Sequence, residues 1–345
     1  MKFLVKASVI VTGRNVEMYI QECLDSLMKL DFDDYEVIYV DGGSSDRTLE
    51  YVKKIKGVTI CIDNGNSPAS GRNVGIREAK GDILAFIDAD CVAPSDWLQK
   101  LEGFLRTHEV GGVGGPYEIP PSSSKMAKII RNVLDTFLGS GNVPLFKTKR
   151  SLLEPVTAIQ AGNVAFPWKI FQYVGLFDPN LRYLEDYDFS QRIRSIGKEI
   201  IFLPEAFVYH KSFQFINLAS LSKLLFSYGK GRFEPIRYKS ELFSLVRFIP
   251  LFFFIFFVVL GILTPFWNMG NILALLMLIY LTAMLFSSFM LAIRHKKVVY
   301  LAVAPFVYLV IHLSYALGSL VGLISGIFHA DDKYRKASSH ERWES

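Results

Sequence analysis

Two carboxylates one residue apart, Asp88-Ala-Asp90, follow the apolar run Ile83-Leu-Ala-Phe-Ile87. At the end of a strand such a pair can divide its work. One oxygen can turn toward a divalent cation, the other toward a ribose hydroxyl or a metal-bound water. Mg2+ and Mn2+ prefer oxygen ligands and usually keep phosphate oxygens and waters in their shell. A cation held there would offset the negative charge that gathers on a departing diphosphate. A solvated turn can carry the same triplet, so the surrounding fold decides between the two readings. A second acidic cluster, Asp41-Gly-Gly-Ser-Ser-Asp46, ends the run Tyr35 to Val40. Asp41 could accept a hydrogen bond from a base N–H, and the glycines let backbone approach a ligand. Ser45 or Asp46 could equally cap the helix that follows.

Three further features carry chemistry. Gly71-Arg72-Asn73-Val-Gly75 stands just before an expected helix, Asn73 to Ala79. Arg72 could reach a base carbonyl or a phosphate, and a helix start itself favours anions. Glu185-Asp186 lies upstream of an expected helix, Phe189 to Ile196, that carries Arg192 and Arg194. Paired acids often decorate helix starts; the catalytic version is a general base that deprotonates an acceptor hydroxyl as it attacks an anomeric carbon. His210 could be a metal ligand, a diphosphate partner or a structural residue. Lys147, Lys149 and Arg150 follow an expected helix, Met126 to Leu138, and could either meet phosphates or form a solvated basic loop.

The elements that must position these groups read as alternating strand and helix. Ala7 to Val11, Tyr35 to Val40, Val58 to Ile62 and Asp82 to Ile87 are short β-branched or apolar runs. Helical spacing of apolar residues separates them, first over Met18 to Met28 and then over Thr48 to Ile55. This alternation predicts an α/β domain with a mainly parallel sheet covered on both faces. Ligands of such sheets bind beyond the carboxyl ends of the strands. Thr12 to Asn15, Asp41 to Asp46 and Asp88 to Asp90 all fall at those ends.

Composition divides the 345 residues in two. Up to about Lys239, apolar, charged and turn residues mix. From Phe243 to Phe328 the chain is apolar, with charges confined to Arg247 and Arg294 to Lys297. Phe248 to Phe266, Ile272 to Ile293 and Tyr300 to Phe328 each reach the roughly 20 residues that a bilayer crossing needs. The apolar stripe Phe213 to Tyr228, accompanied by Lys223, Lys230 and Arg232, predicts a helix lying in the membrane interface. The formal charge of +5 resides largely beside the apolar segments. That placement fits anionic lipid and the positive-inside rule, and argues against nucleic acid. Cys23, Cys61 and Cys91 lack metal-type spacing and cannot pair fully, which suggests a reduced, cytosolic catalytic domain. No cleavable signal is expected at the start, where Ala7 to Val11 reads as a strand instead.

Taken together, the motifs resemble glycosyltransferase family 2 over roughly residues 5 to 235. They run Thr12-Gly-Arg-Asn15, Asp41-Gly-Gly-Ser-Ser-Asp46, Gly71-Arg72-Asn73-Val-Gly75, Gly81-Asp82 and Asp88-Ala-Asp90. Gln160-Ala-Gly-Asn163, Val174-Gly-Leu-Phe-Asp178, Glu185-Asp186-Tyr-Asp188 with Arg192, and His210 complete the order. The resemblance implies a GT-A fold and an inverting transfer from a UDP- or GDP-type sugar with Mn2+ or Mg2+. On it, Thr12, Asn15, Asp41 and Arg72 hold the nucleotide, and Asp88 holds ribose or metal. Asp90, with His210, holds the metal. Asp186 is the base and Glu185 places hydroxyls. Gly162 and Asn163, with Lys147, Arg150 and Arg232, fall to the acceptor or its phosphates. Val11-Thr12-Gly13-Arg14 departs from the family's usual first loop, which commonly starts Pro-Thr.

The Gln-x-x-Arg-Trp pattern of processive polysaccharide synthases is absent; Arg342-Trp343 has Ser339 where Gln would stand. Single-sugar addition to a membrane acceptor, a polyprenyl phosphate or lipid-linked saccharide, is therefore expected. A processive synthase is the alternative, and a sugar nucleotidyltransferase the more distant one. The expected layout is a catalytic domain over 1–212, with its nucleotide half near 1–110 and its acceptor half near 111–212. An interfacial helix and linker cover 213–242, about three transmembrane helices cover 243–328, and a polar tail covers 329–345. The expected setting is a multi-pass protein of the cytoplasmic or ER-type membrane with the catalytic domain in the cytosol. Three spans place the basic tail on the opposite side, against the positive-inside rule. Oligomeric state has no signature in the sequence.

Overall fold

A computed structural model describes residues 5–64, 67–141, 148, 152–181, 183–231, 249–267 and 270–328. Among these, two compact units separate: the first holds residues up to 122 and 152–214, the second 123–141 and the described residues from 215 onward. The segment 123–141, expected in the acceptor half, therefore groups with the apolar helices.

The first unit is built on an eight-stranded sheet. Its strands are β1 (Val5–Gly13), β2 (Tyr35–Asp41), β3 (Val58–Ile62), β4 (Gly81–Asp88), β6 (Gly112–Gly114), β8 (Glu154–Pro155), β9 (Asn163–Pro167) and β10 (Ile200–Phe202). Their order is β3-β2-β1-β4-β9-β6-β10-β8. β3, β2, β1 and β4 are all parallel, and β9 runs antiparallel on β4. Strand order reverses beside β1, so the crevice between the ends of β1 and β4 is the place where such sheets bind ligands. In that crevice Thr12 is the register partner of Asp88, and Gly13 that of Asp41. A second, three-stranded sheet joins β5 (Cys91–Val92), β11 (Val208–His210) and β7 (Tyr117–Glu118), with β11 in the middle.

Burial on both faces explains why the β4 run is apolar throughout. Ile83, Ala85 and Ile87 face a core with Leu24, Tyr39 and Trp97. Leu84 and Phe86 face a second core rich in phenylalanine. Here Phe177 lies 4.4 Å and Phe171 5.0 Å from the Phe189 ring. The helices of this unit are α1 (Ile20–Leu27), α2 (Thr48–Val52), α3 (Pro68–Glu78), α4 (Trp97–Thr107), α7 (Trp168–Val174) and α8 (Glu185–Ser195). α1 buries Ile20, Cys23, Leu24 and Leu27, the stripe that its spacing predicts.

α3 starts five residues earlier than expected. Ser67 accepts a hydrogen bond from the Ser70 N–H and Pro68 occupies the first turn, a start that needs no donor from Pro. Arg72 consequently lies inside the helix rather than before it. α8 also starts early, at Glu185, after Leu184 takes a left-handed conformation at φ +64. The stripe from Phe213 divides as well: Lys211–Phe215 is a 3-10 turn, and the helix begins only at Leu218.

The second unit contains α5 (Lys125–Leu134), α6 (Phe137–Ser140), α9 (Leu218–Gly231), α10 (Ile249–Trp267), α11 (Gly270–His295) and α12 (Val299–Phe328). The helix expected over Met126 to Leu138 is thus two helices broken at Asp135-Thr136. Three helices are long and apolar enough to cross a membrane, over Ile249–Phe266, Gly270–His295 and Val299–Ser325. α9 packs along α12 through small residues, since a Cβ on Gly229 would strike the Tyr315 carbonyl and one on Gly318 the Phe226 carbonyl.

One buried amide ties the first unit together. Asn163 accepts from Trp97 Nε1 at 2.8 Å and donates to the carbonyls of Pro116 and Ala206 at 3.1 and 2.9 Å. Both of its N–H groups are thereby engaged within the fold, which gives Asn163 a structural role. Leaving a buried group unpaired costs about 1–3 kcal/mol, and three groups are at stake here. Asn163→Ala should accordingly lower the melting temperature of the detergent-solubilised protein by several degrees, and an unchanged melt would refute the assignment.

Candidate active site

The carboxyl end of β4 is the centre of the site. The Asp88 N–H donates to the Gly162 carbonyl at 3.1 Å, and Tyr117 donates its hydroxyl to Asp88 Oδ2 at 2.9 Å. A Cβ on Gly162 would collide with the Asp88 carboxyl and the Tyr117 hydroxyl. Only glycine allows this approach, which gives Gly162 a packing reason. Burial first, and then the Asp88 charge, push the Tyr117 phenol well above its ordinary range, so it remains a donor.

Arg72 links the two acidic clusters. Its Nη1 lies 2.8 Å from Glu185 Oε1 and its Nη2 3.7 Å from Asp88 Oδ1. The guanidinium also stands 5.8 Å from the Phe177 ring centroid. Next to it Asn73 exchanges two hydrogen bonds with the Phe177 backbone, at 2.8 and 3.0 Å, which fixes the helix carrying Arg72. Burial alone would lower the Arg72 pKa, but Glu185 and Asp88 outweigh it and the charge is retained. For Glu185, burial and then the neighbouring Asp186 raise the carboxyl to about 7 against the pull of Arg72. In this pair the acid is the group that titrates.

Glu185 and Asp186 occupy the first turn of α8, where a helix start favours negative charge. Asp186 is half-buried and accepts from the Tyr187 N–H at 2.7 Å. Asp188, in the same turn, is held by Arg192 at 2.8 Å and belongs to the helix rather than the site.

The small sheet supplies the other side. His210 is the register partner of Cys91, and Lys211 donates its N–H to the Asp90 carbonyl at 2.8 Å. His210 Nδ1 lies 3.5 Å from Asp90 Oδ2 and 2.9 Å from Ser212 Oγ, with the ring edge-on to Tyr117. Asp88, Asp90, Cys91 and His210 each bring one donor atom within 4.8 Å of the others. Two carboxylate oxygens and an imidazole nitrogen suit a cation of the Mn2+ type. The Cys91 sulfur is the odd member: burial, then Asp90 and Asp88, raise its thiol well above the ordinary value. A protonated thiol is a poor ligand for a hard cation.

The nucleotide side is pre-shaped by its own loops. Asp41 is buried and accepts from the N–H groups of Gly43 and Ser44 at 3.0 and 2.8 Å and from the Ser44 hydroxyl at 2.6 Å. Asn15, at φ +55, accepts from the Ser45 N–H at 2.8 Å and so ties the first loop to the second. Thr12 lies half-exposed between Asp88 and Val40 in register. Lys147, Arg150 and Arg232 lie outside the described residues.

Sequence reasoning passed over Tyr117, Cys91 and Asp63. Asp63 follows the apolar run of β3 just as Asp41 and Asp88 follow theirs, and that was the available signal. It donates its N–H to the Asp41 carbonyl at 2.8 Å and accepts from Ser70 Oγ at 2.7 Å, which joins β2, β3 and α3. Nothing local marks Tyr117, whose partner lies 29 residues away.

Residues 8–174 match the sequence model of glycosyl transferase family 2, a stretch that ends before Glu185. The chain is 28% identical over 201 residues to the glycosyltransferase EpsJ of Bacillus subtilis, a match covering 53% of this chain and 54% of that one. It thus spans about half the length of that relative. A longer match, 24% identical, covers 92% of this chain and 97% of a Methanococcus voltae enzyme. That relative is a dolichyl N-acetyl-alpha-D-glucosaminyl phosphate 3-beta-D-2,3-diacetamido-2,3-dideoxy-beta-D-glucuronosyltransferase. In fold, the mannosyltransferase PcManGT of Pyrobaculum calidifontis, solved with GDP-Man and Mn2+, superposes with a TM-score of 0.57 at 17% identity. The superposition takes in 95% of this chain and 89% of the other. Residues 8–174, just under half of the chain, thus match glycosyl transferase family 2, and the chain has a GT-A fold followed by three C-terminal apolar helices.

Proposed function

We propose that the enzyme transfers one sugar, with inversion, from a UDP- or GDP-sugar to a membrane-held acceptor such as a polyprenyl phosphate or lipid-linked saccharide. The observation that carries the reading is the convergence of Asp88, Asp90 and His210 beside the buried Arg72–Glu185 pair. The Methanococcus voltae relative, matched along nearly its whole length, supports a lipid-linked acceptor by its own specificity. In this reading α10, α11 and α12 span the membrane and the catalytic unit faces the cytosol.

The chemistry is a single displacement. The acceptor oxygen forms a bond to the anomeric carbon as the bond from that carbon to the diphosphate oxygen breaks, and the acceptor proton passes to Asp186. Thr12, Asn15 and Asp41 line the place for the nucleoside. Asp88, Asp90 and His210 hold a divalent cation, which supplies positive charge to the leaving diphosphate when bound. Glu185 orients Arg72 and the hydroxyls of the sugar or acceptor.

The test is a panel of UDP-, GDP- and dTDP-sugars with Mn2+ or Mg2+ and a lipid extract, with the chain length of the product measured. Wild type should yield a lipid-extractable product bearing one added sugar; a ladder of lengths would point to the processive alternative. Asp90→Ala should lose turnover together with cation binding. Asp186→Asn should fall by about 10²–10⁴-fold, the usual contribution of a general base, while still binding donor. Full activity in either variant would remove that residue from its role.

Acidity gives a second check. Below a pH of about 7 Glu185 takes up a proton and its ion pair with Arg72 weakens; above it the pair is complete. Turnover should therefore rise through that region as pH increases. In Glu185→Gln the inflection should vanish and activity remain uniformly low; an unchanged profile would show that another group titrates.

A further inference from the structure

The apolar helices of the second unit carry polar side chains that reach one partner, the segment of α5 and α6. Asn132 donates to the Tyr300 hydroxyl at 2.6 Å, and Asp135 pairs with Arg294 at 3.3 Å. Deeper along α12 the Thr136 and Tyr308 hydroxyls share a hydrogen bond of 3.0 Å, and Tyr308 bonds Ser287 of α11 at 2.5 Å. Farthest in, His312 Nε2 lies 2.9 Å from the Leu138 carbonyl, while its Nδ1 lies 2.6 Å from the Tyr280 hydroxyl.

These contacts measure depth. His312 is the central residue of the candidate span Val299–Ser325. At 1.5 Å per residue it lies about 20 Å along α12 from Val299, and the lean of helical side chains toward the N-terminus brings its contact to about 15 Å. The hydrocarbon core of a bilayer is about 30 Å thick. Leu138 thus sits level with the middle of a helix that would cross the membrane, while Asn132 sits level with its first turn.

The segment is made for such a place. Several groups of its broken backbone are satisfied within the segment, as hydrocarbon favours. The Thr136 N–H donates to the Val133 carbonyl at 3.0 Å, and the Gly139 N–H reaches the Thr136 hydroxyl at 3.0 Å. Lys125 and Lys128, at the shallow end, are exposed, and the large side chain exposed at the deep end is Phe137, with 74% of its surface free. Cations at headgroup level and an apolar tip below are the pattern of a segment dipped into lipid.

We propose that residues 132–141 form a re-entrant membrane segment, clamped by Tyr308 and His312, whose tip at Phe137-Leu138 lies in lipid hydrocarbon. The inference rests on the reading that α10–α12 span the bilayer. The test uses the full chain in proteoliposomes, with Cys61→Ser removing the partly exposed thiol while Cys23 and Cys91 are buried. Single cysteines are introduced as Phe137→Cys, Lys128→Cys and Leu281→Cys, all at exposed positions, and treated on both membrane faces with a charged, impermeant maleimide.

Phe137→Cys and Leu281→Cys should label at least about tenfold more slowly than Lys128→Cys, since a thiol in hydrocarbon meets neither the reagent nor water. A fluorophore at position 137 should be quenched more by nitroxide on lipid acyl chains than by nitroxide on headgroups. Rapid labelling of Phe137→Cys with Leu281→Cys protected, or stronger headgroup quenching, would overturn the re-entrant segment alone. Rapid labelling of Leu281→Cys would instead overturn the spanning reading on which it stands.

Discussion

Arg72 is buried and charged, and the catalytic unit is arranged around keeping it neutralised. A buried cation without partners costs several kcal/mol, and removing one partner of such a pair is strongly destabilising. Asp88 and Glu185 supply the counter-charge from elements far apart in the chain. For both to reach one guanidinium, β4 must end where α3 passes and α8 must start against the same helix. The paired bonds of Asn73 with Phe177 hold the loop before α8 to α3, and the left-handed turn at Leu184 aims the first turn inward. Tyr117 fixes the other oxygen of Asp88. The position of the acidic triplet is therefore a consequence of satisfying one arginine.

What could be read from the sequence was whatever depended on local pattern. Four parallel strands, their polar ends and the apolar spans all follow from runs of residues whose spacing is set by burial on one or two faces. The start of α3 was placed too late because Gly71-Arg72 read as a loop before the helix. The smallness of Gly71 and Gly75 serves contact instead: a Cβ on Gly75 would lie 2.5 Å from Ile10, and one on Gly71 3.4 Å from Thr12. The capping pair Ser67-Pro68 lies before the stretch expected to be helical. Asn163 entered the expected site through the motif Gln160-Ala-Gly-Asn163. Its three partners come from 43 to 66 residues away, and no local pattern reports them. For the same reason the grouping of α5 and α6 with the apolar helices was invisible, since it depends on pairs such as Asn132 with Tyr300.

Charge balance supports the proposal that the site takes a cation. Glu185, Asp88 and Asp186 act on the Arg72 charge, two of them as ion-pair partners, and Asp90 adds a carboxylate near Asp88 and His210. A nucleotide diphosphate adds further negative charge. Brought against Asp88 and Asp90 alone it would be repelled, and in a partly buried site water screens that repulsion poorly. In the proposed reading, a divalent ion among Asp88, Asp90 and His210 would reverse the sign of the charge that a diphosphate meets there. The sulfur of Cys91 completes the geometric group, but its proton keeps it from competing for that ion.

The second unit solves a different problem with related means. A histidine and two tyrosines within apolar helices are costly unless every polar atom finds a partner. Those partners come from one another, from Ser287, from the side chains of Asn132 and Thr136, and from the Leu138 carbonyl. Each side thus satisfies what the other exposes. Apolar packing alone would let α5 and α6 slide along α12, because lipid offers the same contacts at any depth. Directional bonds at three levels, Tyr300, Tyr308 and His312, allow only one register, and it is the register rather than the affinity that the polar residues secure.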